Sequence, residues 1–273
     1  MNIGEGAILG VVQGLTEFLP VSSTAHLRIV PAFARWRDPG SAFSAVIQLG
    51  TMLAIVVYFW RDICRIVLVW FRGLRDKSVR PSLDYRMGWY VIFATIPVGV
   101  FGLIFRHQIT TGGRNLWLIS SALIALALVL LAAERVGTRT RTEDDITLRD
   151  GLIVGLAQAA SLVPGVSRSG STITAGLFCG LTREAAARFS FLLSVPAVVL
   201  SGLFELKDIG GKDSPSVGPT VMATILAFVV GLASIHWLLR FLGRHSTFAF
   251  IGYRVLLGAV VLILLAAGVV DAT

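Results

Sequence analysis

GVVQGLTEFLPVSSTAH, residues 10–26, and GLAQAASLVPGVSRSGST, residues 155–172, decide how this chain is read. Each is an apolar, helix-like run carrying a Gln, and each breaks at a proline and resumes in a cluster of hydroxyl residues. A bilayer core offers no water to unpaired N–H and C=O groups, so a broken helix survives there only where it is buried in protein or lines a cavity. Two such breaks in one lipid-soluble chain point to a site.

Composition sets the solvent. Of 273 residues, 55% are hydrophobic and only 15% charged, and the mean hydropathy is +0.79. These values predict an all-α polytopic membrane protein folded as a single integral-membrane domain over 1–273. The net charge of +8 raises nucleic acid as a partner, but the Lys and Arg lie mostly between apolar runs, as positively charged cytoplasmic loops require. A membrane is therefore expected and nucleic acid is not. Cys64 and Cys179 stand alone, without a CxxC or a nearby His, which argues against a disulfide framework or zinc. No basic residue precedes Arg28, so no cleavable signal peptide is expected.

In chain order, 3–19 and 22–33 are two short apolar helices around Pro20. Neither reaches the roughly 20 residues of a full span, and together they read as a re-entrant hairpin. Crossings are expected at 41–60, 87–105 and 115–134, with a polar loop at 61–86 and a turn at 106–114. The charged segment 135–149 divides the chain. Broken helices at 150–163 and 168–181 follow, then spans at 184–205, 218–240 and 247–270. The first half, 1–134, is thus repeated by the second, 150–273. At an offset of 145, Gln13 faces Gln158, Ser22 faces Ser167 and Thr24 faces Ser169. A hairpin plus three crossings per half is odd, so the second half enters the membrane upside down. The expected architecture is an inverted-topology repeat of six transmembrane helices and two re-entrant helical hairpins, with its site where the broken elements meet. The loops at 61–86, 135–149 and 240–245 hold thirteen Lys or Arg against seven at 28–38, 106–114 and 206–215. That bias places both termini outside.

Gln13 and Glu17 are one helical turn apart, suited to gripping a divalent cation or orienting a water. Beyond Pro20, the hydroxyls of Ser22, Ser23 and Thr24 begin a new helix with His26 in its first turn, and helix N-termini bind phosphate. The mate supplies Ser167, Ser169 and Thr172 with Arg168, whose planar fork matches phosphate oxygens. A serine at a helix start is often only a cap. An ionisable group inside the membrane is harder to explain that way, since it costs about 2.5–3.5 kcal/mol even on the permissive insertion scale. Glu17, His26, Arg168 and Arg254 are therefore candidates for function, Arg254 as a phosphate ligand or as a structural partner of Glu17.

These residues resemble the undecaprenyl-diphosphate phosphatases, also called bacitracin-resistance proteins. Gln13 to Glu17 matches their (E/Q)xxxE motif, Pro20 to His26 their Pro-x-Ser-Ser-Thr-x-His element, and Pro164 to Thr172 their PGxSRSxxT motif. Ala25 departs from the glycine common before the histidine, adding a methyl group without removing a reactive one. The resemblance runs over essentially the whole chain. It implies hydrolysis of undecaprenyl diphosphate to undecaprenyl phosphate and inorganic phosphate at the outer face of the plasma membrane, stimulation by a divalent cation such as Mg2+ or Ca2+, and a homodimer. On this reading Ser23 is the nucleophile and His26, three residues on, its base. Glu17 with Gln13 binds the metal or positions His26, and Arg168 with the hydroxyls holds the diphosphate. Attack by water activated by His26 or Glu17 stays open. So does another class of function, a secondary transporter or flippase of a polyprenyl phosphate, because broken helices in inverted repeats are equally a transporter signature.

Overall fold

The computed structural model describes residues 1–105, 114–205 and 217–272. Eleven α-helices run through them: α1 Ile3–Thr16, α2 Ser23–Ala34, α3 Gly40–Tyr58, α4 Trp60–Arg75, α5 Leu83–Ile104, α6 Leu116–Val136, α7 Leu148–Ala160, α8 Arg168–Phe178, α9 Arg183–Glu205, α10 Val217–Leu242 and α11 Phe248–Ala266. Among the described residues the only β-type pairing is a bridge between Arg141 and Leu181. Five helices, α3, α5, α6, α10 and α11, are long and apolar enough to cross a membrane. The sixth expected span is α9, a helix of 23 residues. Apart from Arg114, the expected turn at 106–114 and the loop at 206–215 lie outside the described residues.

One segment is not as expected. The polar loop at 61–86 is largely helix, because α4 carries Trp60, Ile63, Val67, Trp70, Phe71 and Leu74 at spacings of three and four. Its basic residues Arg61, Arg65 and Arg72 fall on the other side, and Trp60, Val67, Leu68 and Phe71 are exposed. An amphipathic helix of this kind lies in the membrane interface rather than across it. The charges conceal that periodicity when only runs of hydrophobicity are sought.

The correspondence between halves extends to backbone detail. Asn2 and Glu5 close a capping box at the start of α1, and Thr147 and Asp150, 145 residues later, close another at α7; each satisfies two orphan N–H groups reciprocally. Ser22 and Ser167 cap α2 and α8 with φ of 74° and 70°. Positive φ in a residue with a side chain costs about 1–3 kcal/mol and persists only where its surroundings hold it. Left-handed residues close the two helices as well, Arg35 at 56° and Gly180 at 81°.

Packing interlocks the halves. Helix α1 lies on α10 so closely that a Cβ at Gly10 would come within 2.4 Å of the Ala223 carbonyl oxygen; α7 lies on α5 in the same way, Gly155 against the Ala94 carbonyl at 2.4 Å. Small residues permit this approach where lipid offers no hydrophobic drive between helices. The first helix of each half is therefore braced by a span of the other, which brings the two breaks together. Phe18, just past α1, meets Phe191 of α9 edge to face at 5.6 Å inside the main apolar cluster. Ionic ties close the ends. Glu134 of α6, almost wholly buried, accepts from Arg183, Arg139 and the Thr247 hydroxyl, while Asp38 holds Arg114 and Arg28.

Candidate active site

Helix α1 stops at Thr16, and Glu17 occupies its C-cap. The chain then turns through Phe18 to Val21 before Ser22 starts α2. In the other half the turn after α7 ends at Ser167, which starts α8. Both helices begin at the junction of the breaks, so their first-turn N–H groups and the positive ends of their dipoles are gathered at one place.

Glu17 is the centre. Its Oε2 accepts from the Ser23 hydroxyl at 2.6 Å and from Gln13 Nε2 at 3.0 Å. Arg168 Nη2 reaches its Oε1 at 2.5 Å across the junction. The Glu17 and Arg168 side chains are 8% and 17% exposed, a nearly buried pair whose separation would leave an uncompensated charge. Arg168 Nε and Nη1 have no partner among the described residues. Ser169 Oγ donates to the Leu19 carbonyl at 3.0 Å and sits 3.2 Å from Ser167 Oγ, tying α8 to the first break.

His26 is buried, and both its ring nitrogens are engaged away from Ser23. Nδ1 lies 2.7 Å from the Ser22 carbonyl, and Nε2 lies 2.6 Å from the Tyr253 hydroxyl of α11. The expected Ser23–His26 pair is thus replaced by Ser23–Glu17. Tyr253 was missed because a tyrosine among the apolar residues of a span carries no spacing signal. Ser22 caps Ala25 N, and Thr24 is exposed.

Two expected phosphate ligands are used internally. Arg254, wholly buried, spends each of its three nitrogens on carbonyls: Leu123 from Nε, Pro20 from Nη1, and Gly165 and Val166 from Nη2. It pairs neither with Glu17 nor with an open pocket, and it clamps the two breaks by their backbones. Thr172 Oγ1 donates to the Arg168 carbonyl and lies 2.6 Å from Ser190 Oγ of α9, fully buried.

The halves differ chemically where they agree in shape. At the offset of 145 the counterparts of Glu17, Ser23 and His26 are Leu162, Arg168 and Ser171. The first half supplies carboxylate and hydroxyl, the second supplies the cation. Gln158, the mate of Gln13, is buried with neither amide atom bonded. For a divalent cation the junction offers one carboxylate, already taken by three donors, and no group of three His, Cys, Asp or Glu among the described residues. That donor set suits a cation that arrives with phosphate oxygens of its own rather than a resident one.

Residues 6–260 match the family model described as bacitracin resistance protein BacA. The chain belongs to this family. Among curated relatives it is 56% identical over 97% of both chains to an undecaprenyl-diphosphatase of Mycobacterium sp. (strain KMS). It is 55% identical over the same share of both to one of Mycolicibacterium smegmatis, and 50% identical to one of Nocardia farcinica, covering 98% of this chain and 97% of that one.

Proposed function

We infer that the protein is an integral-membrane phosphatase that hydrolyses undecaprenyl diphosphate to undecaprenyl phosphate and inorganic phosphate, returning the lipid carrier to cell-wall synthesis. Family membership and full-length relatives that bear the name of this activity support it. The observation that carries it in the structure is the trio Ser23, Glu17 and Arg168, assembled across two helix breaks. None of those relatives is named as a carrier.

The terminal phosphate enters at the helix starts, where Arg168 and first-turn N–H groups hold its oxygens. Ser23 Oγ attacks phosphorus and passes its proton to Glu17 Oε2. The P–O bond to the bridging oxygen breaks, and the lipid monophosphate leaves with the electron pair. Charge that develops on the transferring group meets preorganised donors, the main source of catalysis in phosphoryl transfer. Ser22, Thr24, Ser167 and Ser169 shape the same helix starts. A divalent cation, Mg2+ or Ca2+, would be held by Glu17 and Gln13 together with the diphosphate, and its chemistry there is charge neutralisation.

The matching caps, the interlocked packing and the loop charge favour an inverted-topology repeat of six spans, α9 included, with α1–α2 and α7–α8 as re-entrant hairpins. The same loop charge favours an orientation with both termini outside, and the family resemblance implies a site that opens at the outer face of the plasma membrane. A homodimer, implied by the family resemblance, completes the reading and is testable by mass measurement in detergent. The deciding experiment is phosphate release from a polyprenyl diphosphate by purified protein in detergent. No release would overturn the reaction.

A further inference from the structure

His26 cannot reach a substrate with a free nitrogen as it stands. The Ser22 carbonyl can only accept, so the Nδ1 that faces it at 2.7 Å carries the hydrogen. In the neutral ring Nε2 is then an acceptor, and the Tyr253 hydroxyl 2.6 Å away donates to it. The two rings lie parallel within 7°, their centroids 5.6 Å apart. His26 is only 6% exposed, whereas Tyr253 is 44% exposed, so Tyr253 is the less buried member of the pair. Its position is not left to chance. The next residue, Arg254, is locked to carbonyls of both breaks, which fixes α11 against the start of α2. The Ser22 carbonyl that orients the ring belongs to the positive-φ cap itself. The result is one hydrogen-bonded line, from the Ser22 carbonyl through His26 to the Tyr253 hydroxyl.

We propose that Tyr253 is the proton relay of this site, passing a proton between the attacking water and His26 Nε2. The inference rests on the phosphatase reading and adds its second half. After Ser23 has taken the phosphoryl group, a water attacks phosphorus and the P–Oγ bond breaks. Ser23 Oγ recovers the proton held on Glu17. The water's proton moves to the Tyr253 oxygen while the phenolic proton moves to His26 Nε2, and the imidazolium returns its proton to solvent by the same route. One water is consumed and one P–O–P linkage is cleaved. His26 thereby serves the water-activating step while Glu17 serves the serine, which accounts for two bases in one site.

Tyr253→Phe keeps the stacked ring and removes only the hydroxyl; Tyr253→Leu removes both. Steady-state phosphate release from a polyprenyl diphosphate in detergent is the measurement, with kcat and KM separated. A relay in the second step predicts that Tyr253→Phe lowers kcat at least tenfold with KM falling in proportion, so that kcat/KM stays within about twofold, that Tyr253→Leu is no worse in kcat, and that adding Tyr253→Phe to His26→Ala costs nothing further, as for groups that act as a unit. Wild-type kcat in Tyr253→Phe with loss only in Tyr253→Leu would assign the ring to packing and overturn the relay. So would losses that multiply in the double variant. Wild-type protein that releases no phosphate would overturn the reaction and the relay together, whereas active wild type with an unimpaired Tyr253→Phe overturns the relay alone.

Discussion

Ser23 gives its hydroxyl hydrogen to Glu17, Oγ to Oε2 at 2.6 Å, and His26, only three residues further along α2, takes no part in that bond. Sequence spacing favours His26 as the partner of Ser23. The break after α1 favours Glu17, because the C-cap folds back over the start of α2.

If Glu17 is the base for Ser23, Glu17→Gln and Ser23→Ala each lower single-turnover phosphate release by about 10²–10⁴, the usual yield of a positioned base, and the double variant is scarcely slower than either. Glu17→Gln keeps a polar partner for Arg168 and so limits the penalty of orphaning a buried charge. Turnover close to wild type in Ser23→Ala at saturating lipid would leave water as the attacking group.

Arg168 uses one nitrogen on Glu17, and the proposed mechanism gives the other two to phosphate. Arg168→Lys preserves the charge but not the fork. A charge-assisted hydrogen bond is worth about 1.5–3 kcal/mol, so kcat/KM is expected to fall roughly ten- to a hundredfold while expression and melting temperature in detergent change little. Arg240→Lys, at the exposed end of α10, is the control. An equal loss there would remove the special standing of Arg168.

Gln13 and Gln158 test how far the halves have diverged. Gln13 supports Glu17, and Gln13→Leu is expected to lower activity by removing a donor from Oε2. Gln158 is buried with neither amide atom bonded, a burden of about 1–3 kcal/mol that an apolar side chain of similar size relieves. Gln158→Leu should therefore melt at the same temperature or higher and remain active. An activity loss matching that of Gln13→Leu would mean that the second glutamine also serves the site.

The apolar runs and the two prolines made most helices legible, because length and hydropathy are local properties. Helix α4 was hidden by Arg61, Arg65 and Arg72, whose charge outweighs an apolar stripe visible only in projection. At the site, Gln13, Glu17, Ser23 and Arg168 were legible as polar groups that a lipid-soluble chain must justify. Their pairing was not, since Glu17 and Arg168 stand 151 residues apart and meet only because each half braces the other. Arg254 stood out by its charge, but its partners are carbonyls, and every residue in the sequence has one. Thr172 holds a motif position and turns inward to Ser190.

Orientation rests on loop charge, which sorts the segments between spans but touches no residue of the site. Arg37, exposed between α2 and α3, and Ser78, exposed in the turn Lys77–Val79 after α4, flank α3, a helix long and apolar enough to cross the membrane. Seven Lys or Arg between 61 and 86 put Ser78 on the cytoplasmic side under the positive-inside rule. In a parent carrying Cys64→Ala and Cys179→Ala, Arg37→Cys should react with an impermeant thiol reagent in whole cells, and Ser78→Cys should react only after permeabilisation. The opposite pattern would reverse the protein in the membrane. Labelling of both from outside would mean that α3 does not cross, which would take the odd number of crossings per half, and the inverted repeat with it.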